Sequence, residues 1–331
     1  HQGGMFVREK VIKAILDSGE NFMSGEQLSK KLGISRTAVW KHINALREEG
    51  YNIESVNKKG YRLAEKPDDI LSSENIAYNL PTEFIGKKVI HLDTVGSTND
   101  YAKEIGNKVS GGTLIISEQQ TKGKGRLGRV WKSKSGDGIW MSLIIKPKIE
   151  PYKAPFLTLV AGASVVKALS NLDVEASIKW PNDIIVHNKK ICGILTELSA
   201  EMERVNYVVI GIGINIKTID FPDEIKDKAT SLYKEGYKLS RVDIVRQFCI
   251  EFEKLYKGYI LDGNKQDTLE LCRKYSAIIG KQVYVIKNNK RELVKCIDIN
   301  ENGNLIVKEK NGEIQEIMSG EVSIRGVKGY V

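Results

Sequence analysis

A glycine-rich basic loop is the segment of this sequence best suited to chemistry. Residues 119–131 read Gln-Gln-Thr-Lys-Gly-Lys-Gly-Arg-Leu-Gly-Arg-Val-Trp and place Lys122, Lys124, Arg126 and Arg129 within eight residues. Glycines let backbone N–H groups approach a ligand closely, and the cations neutralise its charge. The loop therefore predicts a site for an anion with more than one charge, such as a nucleotide phosphate chain. A flexible basic surface loop is the alternative, although such loops seldom interleave Gly with Lys and Arg so regularly.

Two common nucleotide-binding motifs do not fit this chain. Gly123, Gly125 and Gly128 have the spacing Gly-x-Gly-x-x-Gly, but a dinucleotide fingerprint needs a helix that opens at the last glycine. The following residues, Val-Trp-Lys-Ser-Lys-Ser-Gly-Asp-Gly, cannot start a helix. The nearest match to a Walker A motif, residues 211–218, has Ile216 where a glycine is required. A Rossmann or P-loop site is therefore not expected.

A second candidate cluster is the run Lys-Trp-Pro-Asn-Asp at residues 179–183. The proline ends one strand, so Asn182 and Asp183 lie where the next strand starts, and Lys190 begins the strand that returns after the turn. A carboxylate in that place can hold Mg²⁺ or orient an amine. An ordinary Asn-Asp hairpin turn is the alternative, and taken alone it is the more frequent case.

Two shorter polar or small-residue segments complete the candidate set. Gly211-Ile-Gly-Ile-Asn215 ends an apolar strand, where it is either a turn or a surface that lets a purine or ribose lie against the backbone. Ser97, Thr98 and Asn99 precede a helix. They can cap that helix, bind a small polar ligand, or do both.

The elements that hold these residues fall into three regions. Alternating apolar patterns predict six strands and three helices over residues 73–272, which indicates a mixed sheet with helices packed on it, α+β or α/β. Five short strands with Asn-Gly turns over 273–331 predict a small SH3-like barrel. Residues 65–72 are predicted to be a linker, and the opening four residues, before Met5, are interpreted as a tag remnant.

Residues 5–64 predict a winged helix-turn-helix. Helices are expected at about 8–17, after an N-cap at Ser24, and at 36–48 after an N-cap at Ser35, with a short glycine turn between the last two. A β-hairpin with Lys58 and Lys59 at its tip follows, and such a wing places cations beside DNA phosphates. Three packed helices with a solvated surface are the alternative. The residues assigned to DNA contact are Ser35, Arg36, Thr37, Trp40, Lys41, Asn44, Lys58 and Lys59.

Composition limits the remaining classes. The chain has 331 residues, 41% of them apolar and 28% charged, which is typical of a soluble globular protein. The formal charge is +9, which favours a polyanionic partner. Four separated cysteines without Cys-x-x-Cys spacing argue against a disulfide framework and a zinc site. The longest apolar stretch, 156–166, is short of a membrane span, and no signal peptide is visible. A reduced, cytoplasmic protein without a membrane partner is expected.

Five motifs occur here in the order found in the biotin protein ligases, and the chain resembles that family. The motifs are Gly-Ser-Thr-Asn at 96–99, the glycine loop from Gln120 to Arg129, Lys-Trp-Pro-Asn-Asp at 179–183, Lys-Lys-Ile-Cys-Gly-Ile-Leu at 189–195 and Gly-Ile-Gly-Ile-Asn at 211–215. With its winged helix, the chain is similar to the bacterial form that combines ligase and biotin operon repressor. The resemblance implies a central domain like that of class II synthetases.

The resemblance also implies roles for individual residues. Biotin would be bound by Ser97, Thr98, Asn99, Gln120, Lys124, Gly125, Arg126 and Lys190. ATP and the adenylate would be bound by Arg129, Trp131, Asn182, Gly211, Gly213 and Asn215. The catalytic residues would be Lys190, Arg126 and Asp183, and Asp183 would also be a candidate Mg²⁺ ligand.

Two positions depart from the family pattern. Residue 124 is Lys where the family usually has Arg, which keeps the charge but loses bidentate geometry. The segment after Asn215, as far as Leu232, lacks the tryptophan that some members pack on adenine.

The resemblance implies an ATP-dependent ligase with biotin, ATP and Mg²⁺. It would form biotinyl-5′-AMP and transfer biotin to a lysine of the biotin carboxyl carrier protein of acetyl-CoA carboxylase. The same protein, as a ligand-loaded homodimer, would bind operator DNA and repress biotin synthesis genes. Two alternatives stay open: a DNA-binding sensor that binds biotin or its adenylate without useful turnover, and a ligase of the lipoate or octanoyl type.

Overall fold

The computed structural model describes residues 2–64, 69–287, 290–319, 322–327 and 329–331, and the side chains from residue 7 onward. The chain forms two compact units. One comprises the residues up to 79 together with 240–242, and the other comprises 80–239 with 243–331. Four residues of the predicted linker, 65–68, lie outside the described residues. Near the end of the predicted linker, Leu71 is fully buried and Ile70 packs against the core of the first unit.

The first unit has the predicted winged helix-turn-helix order. Its elements are α1 (Gln2–Asp17), α2 (Gly25–Leu32), α3 (Arg36–Glu48), β1 (Ile53–Val56), β2 (Gly60–Leu63) and α4 (Ser73–Ala77). Ser24 caps α2 in a capping box with Gln27, and the Ser35 side chain accepts from the Ala38 N–H at the start of α3. Gly33 ends α2 in the left-handed conformation that glycine adopts without steric cost.

A seven-stranded mixed sheet forms the centre of the second unit. Its strands are β3 (Val89–Val95), β4 (Thr113–Gln120), β5 (Gly138–Ile145), β6 (Ser177–Lys179), β7 (Asp183–Val186), β8 (Lys189–Glu201) and β9 (Arg204–Asn215). The order across the sheet is β3-β4-β5-β9-β8-β7-β6. Only the β3–β4 pair among these described neighbours is parallel, so the prediction of a mixed α+β sheet is confirmed.

The remaining helices are α5 (Thr98–Ile105), α6 (Phe156–Ser170), α7 (Arg241–Asp262) and α8 (Gln266–Lys274); all belong to the second unit except the first two residues of α7, which group with the first. The segment Pro151–Ser170, which contains α6, is long and apolar enough to cross a membrane by length and composition, with a mean hydropathy of 1.2. However, 72% of that window is buried inside the protein. Burial on all sides is what a core helix requires, and it explains why α6 has no polar face.

The C-terminal strands form a five-stranded antiparallel sheet. They are β10 (Gln282–Lys287), β11 (Lys290–Ile299), β12 (Leu305–Lys308), β13 (Ile314–Ile317) and β14 (Ser323–Gly326), in the order β13-β12-β11-β10-β14. All five predicted strands are therefore confirmed. Closure of this sheet into an SH3-like barrel stays a prediction.

Three differences from the predicted elements have simple causes. Helix α1 begins at Gln2 rather than near Arg8 and so includes residues interpreted as a tag remnant, because a helix, once nucleated, extends at little cost through residues that tolerate it. The short helices α4 and α8 were not predicted. Their lengths, five and nine residues, leave too few turns for a clear apolar period.

Candidate active site

Two cavities of the second unit share a wall. The smaller has a volume of about 50 Å³ and the larger about 640 Å³. The loop from Gly125 to Arg126, the indole of Trp131, Asn182 and Lys190 line both. A ligand that spans the two cavities would therefore pass these side chains, which come from the glycine loop, the Lys-Trp-Pro-Asn-Asp run and the start of β8.

The N-terminus of α5 forms one side of the smaller cavity. Ser97 caps the helix by accepting from the Asp100 N–H. Thr98 donates to Gln120 Oε1 from its backbone N–H at 2.8 Å and from its hydroxyl at 3.1 Å, while Gln120 Nε2 donates to Ser133 Oγ at 2.8 Å. Residues 97–99 therefore do both things that their types allow: they start a helix, and they line a cavity.

Asn99 is held by a buried polar network. Its Nδ2 donates to Glu197 Oε2 at 2.8 Å, and its Oδ1 accepts from Ser142 Oγ at 2.6 Å. The backbone of Gly211 lies against it so closely that a Cβ there would be 2.2 Å from Asn99 Oδ1. Because both polar atoms of the amide have a defined partner, the orientation of Asn99 is fixed before a ligand arrives.

Trp131 covers two more glycines. A Cβ at Gly213 would lie 2.5 Å from the indole Nε1, and one at Gly193 would lie 2.9 Å from the six-membered ring. The ammonium of Lys190 is 5.2 Å from the centroid of the Trp131 ring, within the range of a cation–π contact. The indole N–H is buried and has no hydrogen-bond partner among the described residues, so it is a donor that a ligand can satisfy.

The glycine loop is a tight turn tied to its surroundings. Gly125 N–H donates to Arg129 O at 2.7 Å. The Lys124 ammonium lies 2.8 and 2.6 Å from the two carboxylate oxygens of Asp100. Arg126 donates to Asn182 Oδ1 at 3.0 Å and to Ser319 O at 2.6 Å. A short 3₁₀ turn at Arg126–Gly128, followed by extended chain, replaces the helix that a dinucleotide fingerprint needs, which confirms the rejection of that motif.

Lys190 and Asp183 form an ion pair where the cavities meet, with Lys190 Nζ 2.6 Å from Asp183 Oδ1. The Tyr330 hydroxyl donates to the other oxygen, Oδ2. Burial alone would raise the pKa of Asp183, but the Lys190 ammonium and the hydrogen bonds outweigh burial and hold this pKa below its usual value. Asp183 is thus a carboxylate at neutral pH and is better suited to orient an amine than to carry a proton.

The larger cavity is basic. Eight of its described lining residues are Lys or Arg and four are Asp or Glu. The basic ones are Arg126, Arg129, Lys132, Lys134, Lys179, Lys190, Lys228 and Arg325. Burial lowers the pKa of Lys179 to about 7, although the nearby Asp183 carboxylate raises it. A cleft of this charge favours a polyanion such as a triphosphate.

A protein-held Mg²⁺ does not fit the described side chains. No three Asp, Glu, His or Cys side chains come together anywhere in the described part of the chain. Asp183, the predicted ligand, already gives one oxygen to Lys190 and the other to Tyr330. Because Mg²⁺ is often bound mainly through substrate phosphates and water, a metal here would depend on the nucleotide.

The structure brings the predicted ligand-binding residues together, with one difference. All eight residues assigned to biotin line the smaller cavity. Of those assigned to the adenylate, Arg129, Trp131, Asn182 and Asn215 line the larger cavity, whereas Gly211 and Gly213 line the smaller one. Asn99 and Trp131 approach these two glycines so closely that a Cβ at Gly211 or Gly213 would collide with one of them. The assignment of the two glycines to the adenylate stays a prediction.

Several residues of the site were not assigned from the sequence. Ser142 is a single polar residue inside the otherwise apolar strand β5. Because strands buried on both faces are usually apolar throughout, this serine could have been identified from the sequence as a candidate site residue. Neither Glu197 nor Tyr330 could be recognised as a site residue from a local sequence pattern, because their partners are distant in sequence. Arg325 lines the larger cavity. It belongs to the run Gly-Glu-Val-Ser-Ile-Arg at 320–325, for which the family resemblance implies contact with ATP or the acceptor, with packing alone as the alternative. Residues 320 and 321 lie outside the described residues.

The first unit presents the predicted DNA-binding side chains at its surface. Ser35, Arg36, Thr37 and Lys41 are exposed, and Trp40 retains 54% exposure, which is high for so large an aromatic side chain. Asn44 is half-buried and accepts from the Arg47 guanidinium at 3.3 Å. In the wing Lys58 and Lys59 are exposed.

Comparison with protein families gives three matches. Residues 92–215 match the biotin/lipoate A/B protein ligase family, residues 7–62 match a helix-turn-helix domain, and residues 278–325 match the biotin protein ligase C-terminal domain. The three matches follow the order of the three regions predicted from the sequence.

Two curated relatives extend these matches over nearly the whole chain, and a solved structure covers most of it. The bifunctional ligase/repressor BirA of Bacillus subtilis is 42% identical over 96% of this chain and 98% of that protein. The protein of the same name from Escherichia coli is 31% identical over 95% and 96%. The biotin protein ligase of Aquifex aeolicus, solved with biotin and ATP, covers 72% of this chain and 99% of its own, with 32% identity and a TM-score of 0.64. The chain therefore belongs to the biotin protein ligase family, in the bifunctional form that carries a helix-turn-helix repressor domain.

Proposed function

We propose that this chain activates biotin with ATP at the shared wall of the two cavities and then transfers it to a lysine of a biotin carboxyl carrier protein. The observation that carries the proposal is that Lys190, Arg126 and Trp131 line both cavities. A carboxylate in the smaller cavity and a phosphate in the larger one would meet at the cations Lys190 and Arg126.

The first step needs electrostatic help rather than a base. The biotin carboxylate is already ionised at neutral pH, so its oxygen attacks the α-phosphorus of ATP directly, and pyrophosphate leaves with the electrons of the broken P–O bond. The barrier comes from bringing two anions together, and preorganised cations lower it. Lys190 and Arg126 are placed to do this. Mg²⁺ would arrive on the phosphates of ATP.

The smaller cavity must enlarge to accept biotin. About 50 Å³ holds roughly three or four water molecules. Trp131 and the glycine loop form much of its wall, so we expect them to move outward when biotin binds. The buried Trp131 N–H then gains access to a polar ligand atom.

Biotin-dependent exchange of pyrophosphate into ATP tests the enzyme assignment. We expect exchange with biotin and none with lipoate or octanoate. Binding of biotin without exchange would support the sensor alternative, and exchange with lipoate in place of biotin would support the lipoate-type ligase.

In the second step a lysine amine attacks the carbonyl carbon of the mixed anhydride. The acceptor ammonium first loses a proton to solvent; the C–N bond forms, the C–O bond breaks, AMP leaves with its electrons, and the second amine proton goes to water or phosphate. Asp183 is placed to orient the amine by accepting an N–H.

Replacing Asp183 with Asn is expected to slow transfer from preformed biotinyl-5′-AMP about 100-fold, because an amide oxygen is a weaker acceptor and Lys190 loses its counter-ion. Single-turnover transfer to a carrier-protein domain measures this. The same substitution at the exposed Asp93 should leave the rate unchanged. Full transfer by Asp183→Asn would remove Asp183 from the mechanism.

The first unit is proposed to bind operator DNA through α3 and the wing, as a homodimer loaded with biotinyl-adenylate, since a two-fold protein matches a palindromic site. The exposed basic tip of the wing and the exposed face of α3 support the proposal. The four cysteines are free and buried, which suits the reducing cytoplasm as the proposed location.

Replacing Lys58 and Lys59 with Ala is expected to weaken DNA binding and to reduce the slope of log K against log salt by about 2, because two phosphate contacts are lost. Affinity measured across a salt series gives both quantities, while pyrophosphate exchange should be unchanged. Ala at the exposed Lys108 and Lys254 makes the same charge change in the second unit and serves as the control. An unaltered slope in the wing variant would exclude the wing from the interface.

A further inference from the structure

The segment that follows β14 enters the larger cavity. Tyr330 is 9% exposed and lines this cavity together with Ile324 and Arg325 of β14. Val331 packs on the same strand, since a Cβ at Gly326 would lie 2.3 Å from the Val331 carbonyl carbon. Tyr330 lies beyond residues 278–325, which match the C-terminal domain of the family.

Tyr330 contacts both members of a cross-strand pair. Lys179 of β6 stands opposite Asp183 of β7 in the sheet register. The Tyr330 hydroxyl donates to Asp183 Oδ2, while the Lys179 ammonium donates to the Tyr330 carbonyl at 2.6 Å and lies 3.4 Å from the centroid of its ring. One residue thus holds the carboxylate through its side chain and the ammonium through its backbone and its ring.

Packing alone does not account for this arrangement. A tyrosine needed only for its apolar ring would leave the hydroxyl to solvent, whereas here the hydroxyl donates to a buried carboxylate. Burial and the Asp183 charge raise the pKa of Tyr330, so the hydroxyl remains a donor at neutral pH. A carboxylate offers about four lone pairs; with Lys190 on Oδ1 and Tyr330 on Oδ2, lone pairs remain for an incoming amine.

We propose that Tyr330 is a positioning residue for the transfer step: it fixes the Asp183 carboxylate between two donors so that the free lone pairs face the acceptor lysine. This inference rests on the proposed function, because it assigns Asp183 to the acceptor amine. Tyr330 itself exchanges no proton with the substrate. The bonds made and broken are those of the transfer step described above.

The test is Tyr330→Phe in the full chain, which keeps the ring on Lys179 and removes only the hydroxyl. Transfer from preformed biotinyl-5′-AMP to a carrier-protein domain is expected to fall about tenfold in kcat, the effect of losing one hydrogen bond to a charged group. The KM for the carrier domain and the rate of pyrophosphate exchange are expected to stay unchanged. Tyr152→Phe, at a tyrosine with 76% exposure, is the matched control and should alter nothing.

Three results would overturn the proposal. An unchanged kcat would show that the hydroxyl has no role in transfer. A faster transfer or a lower KM would show that Tyr330 obstructs the acceptor instead of serving it. Equal losses in transfer and in exchange, with a lower melting temperature, would show a structural role only. Failure of the proposed function is distinguishable, because the unaltered protein would then lack exchange and transfer altogether.

Discussion

Replacing Lys190 with Met is expected to lower the rate of biotin-dependent pyrophosphate exchange by about 100- to 1,000-fold, the usual cost of removing one preorganised donor from a developing charge. Lys190 lines both cavities. With Arg126, its ammonium is therefore placed between a carboxylate in the smaller cavity and a phosphate in the larger. Met has a similar length and keeps the packing on Trp131, so the loss reports the charge.

A second variant separates chemistry from folding in this experiment. Lys190→Met leaves the buried Asp183 carboxylate without its ion-pair partner, and breaking such a pair typically costs about 3–5 kcal/mol of stability. The double variant Lys190→Met with Asp183→Asn removes both charges and should recover much of the melting temperature while exchange stays low. Recovery of exchange in the double variant, or near-normal exchange in the single one, would contradict the role of Lys190 as the central cation.

The sequence predicted the parts of this protein whose signals are local. Ser24 and Ser35 precede amphipathic runs, and the structure shows both as helix caps. The strands of the large sheet alternate or form short apolar runs, so their existence, though not always their ends, could be inferred. The spacing of Gly and Lys or Arg around Gly125 predicted the basic loop correctly because two of its glycines determine the backbone geometry: a Cβ at Gly123 would lie 2.3 Å from the Trp131 carbonyl oxygen, and Gly128 has a φ of 72°.

Contacts between distant segments determine what could not be predicted from the sequence. Glu197 of β8 accepts from Asn99 and Lys103 of α5, and no local pattern distinguishes it from an ordinary strand residue. Tyr330 meets Asp183 only because β14 brings the residues that follow it to β7. Gly211 and Gly213 were assigned to the nucleotide because small residues at a strand end suggest close approach by a ligand, whereas the close neighbours are the protein's own Asn99 and Trp131.

Gly211→Ala is expected to weaken biotin binding by about 10- to 100-fold. The added Cβ would lie 2.2 Å from Asn99 Oδ1 and 2.8 Å from its Cγ. Asn99 is 4% exposed and held by Ser142 and Glu197, so it has nowhere to retreat except into the smaller cavity. Biotin must push Asn99 back against the added methyl group, so the cost of overpacking, about 1–3 kcal/mol, falls on the complex, and each 1.4 kcal/mol is about tenfold in affinity. Calorimetric titration with biotin measures the loss.

Two glycines serve as controls for Gly211→Ala, because they test the substitution without the collision. A methyl group added at Gly258 in α7 would have nothing within 4 Å, and the nearest atom to one added at Gly162 in α6 is Ile194 Cδ1 at 3.8 Å. Alanine at either site should leave biotin affinity unchanged and raise helix stability slightly. If Gly211→Ala bound biotin as tightly as these controls, Asn99 would not be a fixed wall of the biotin cavity. If Gly211→Ala does weaken binding, the double variant Gly211→Ala with Asn99→Ala shows whether the loss of affinity has a steric or a polar cause. The double variant removes the collision, so any loss of affinity that persists comes from the missing amide and its hydrogen bonds.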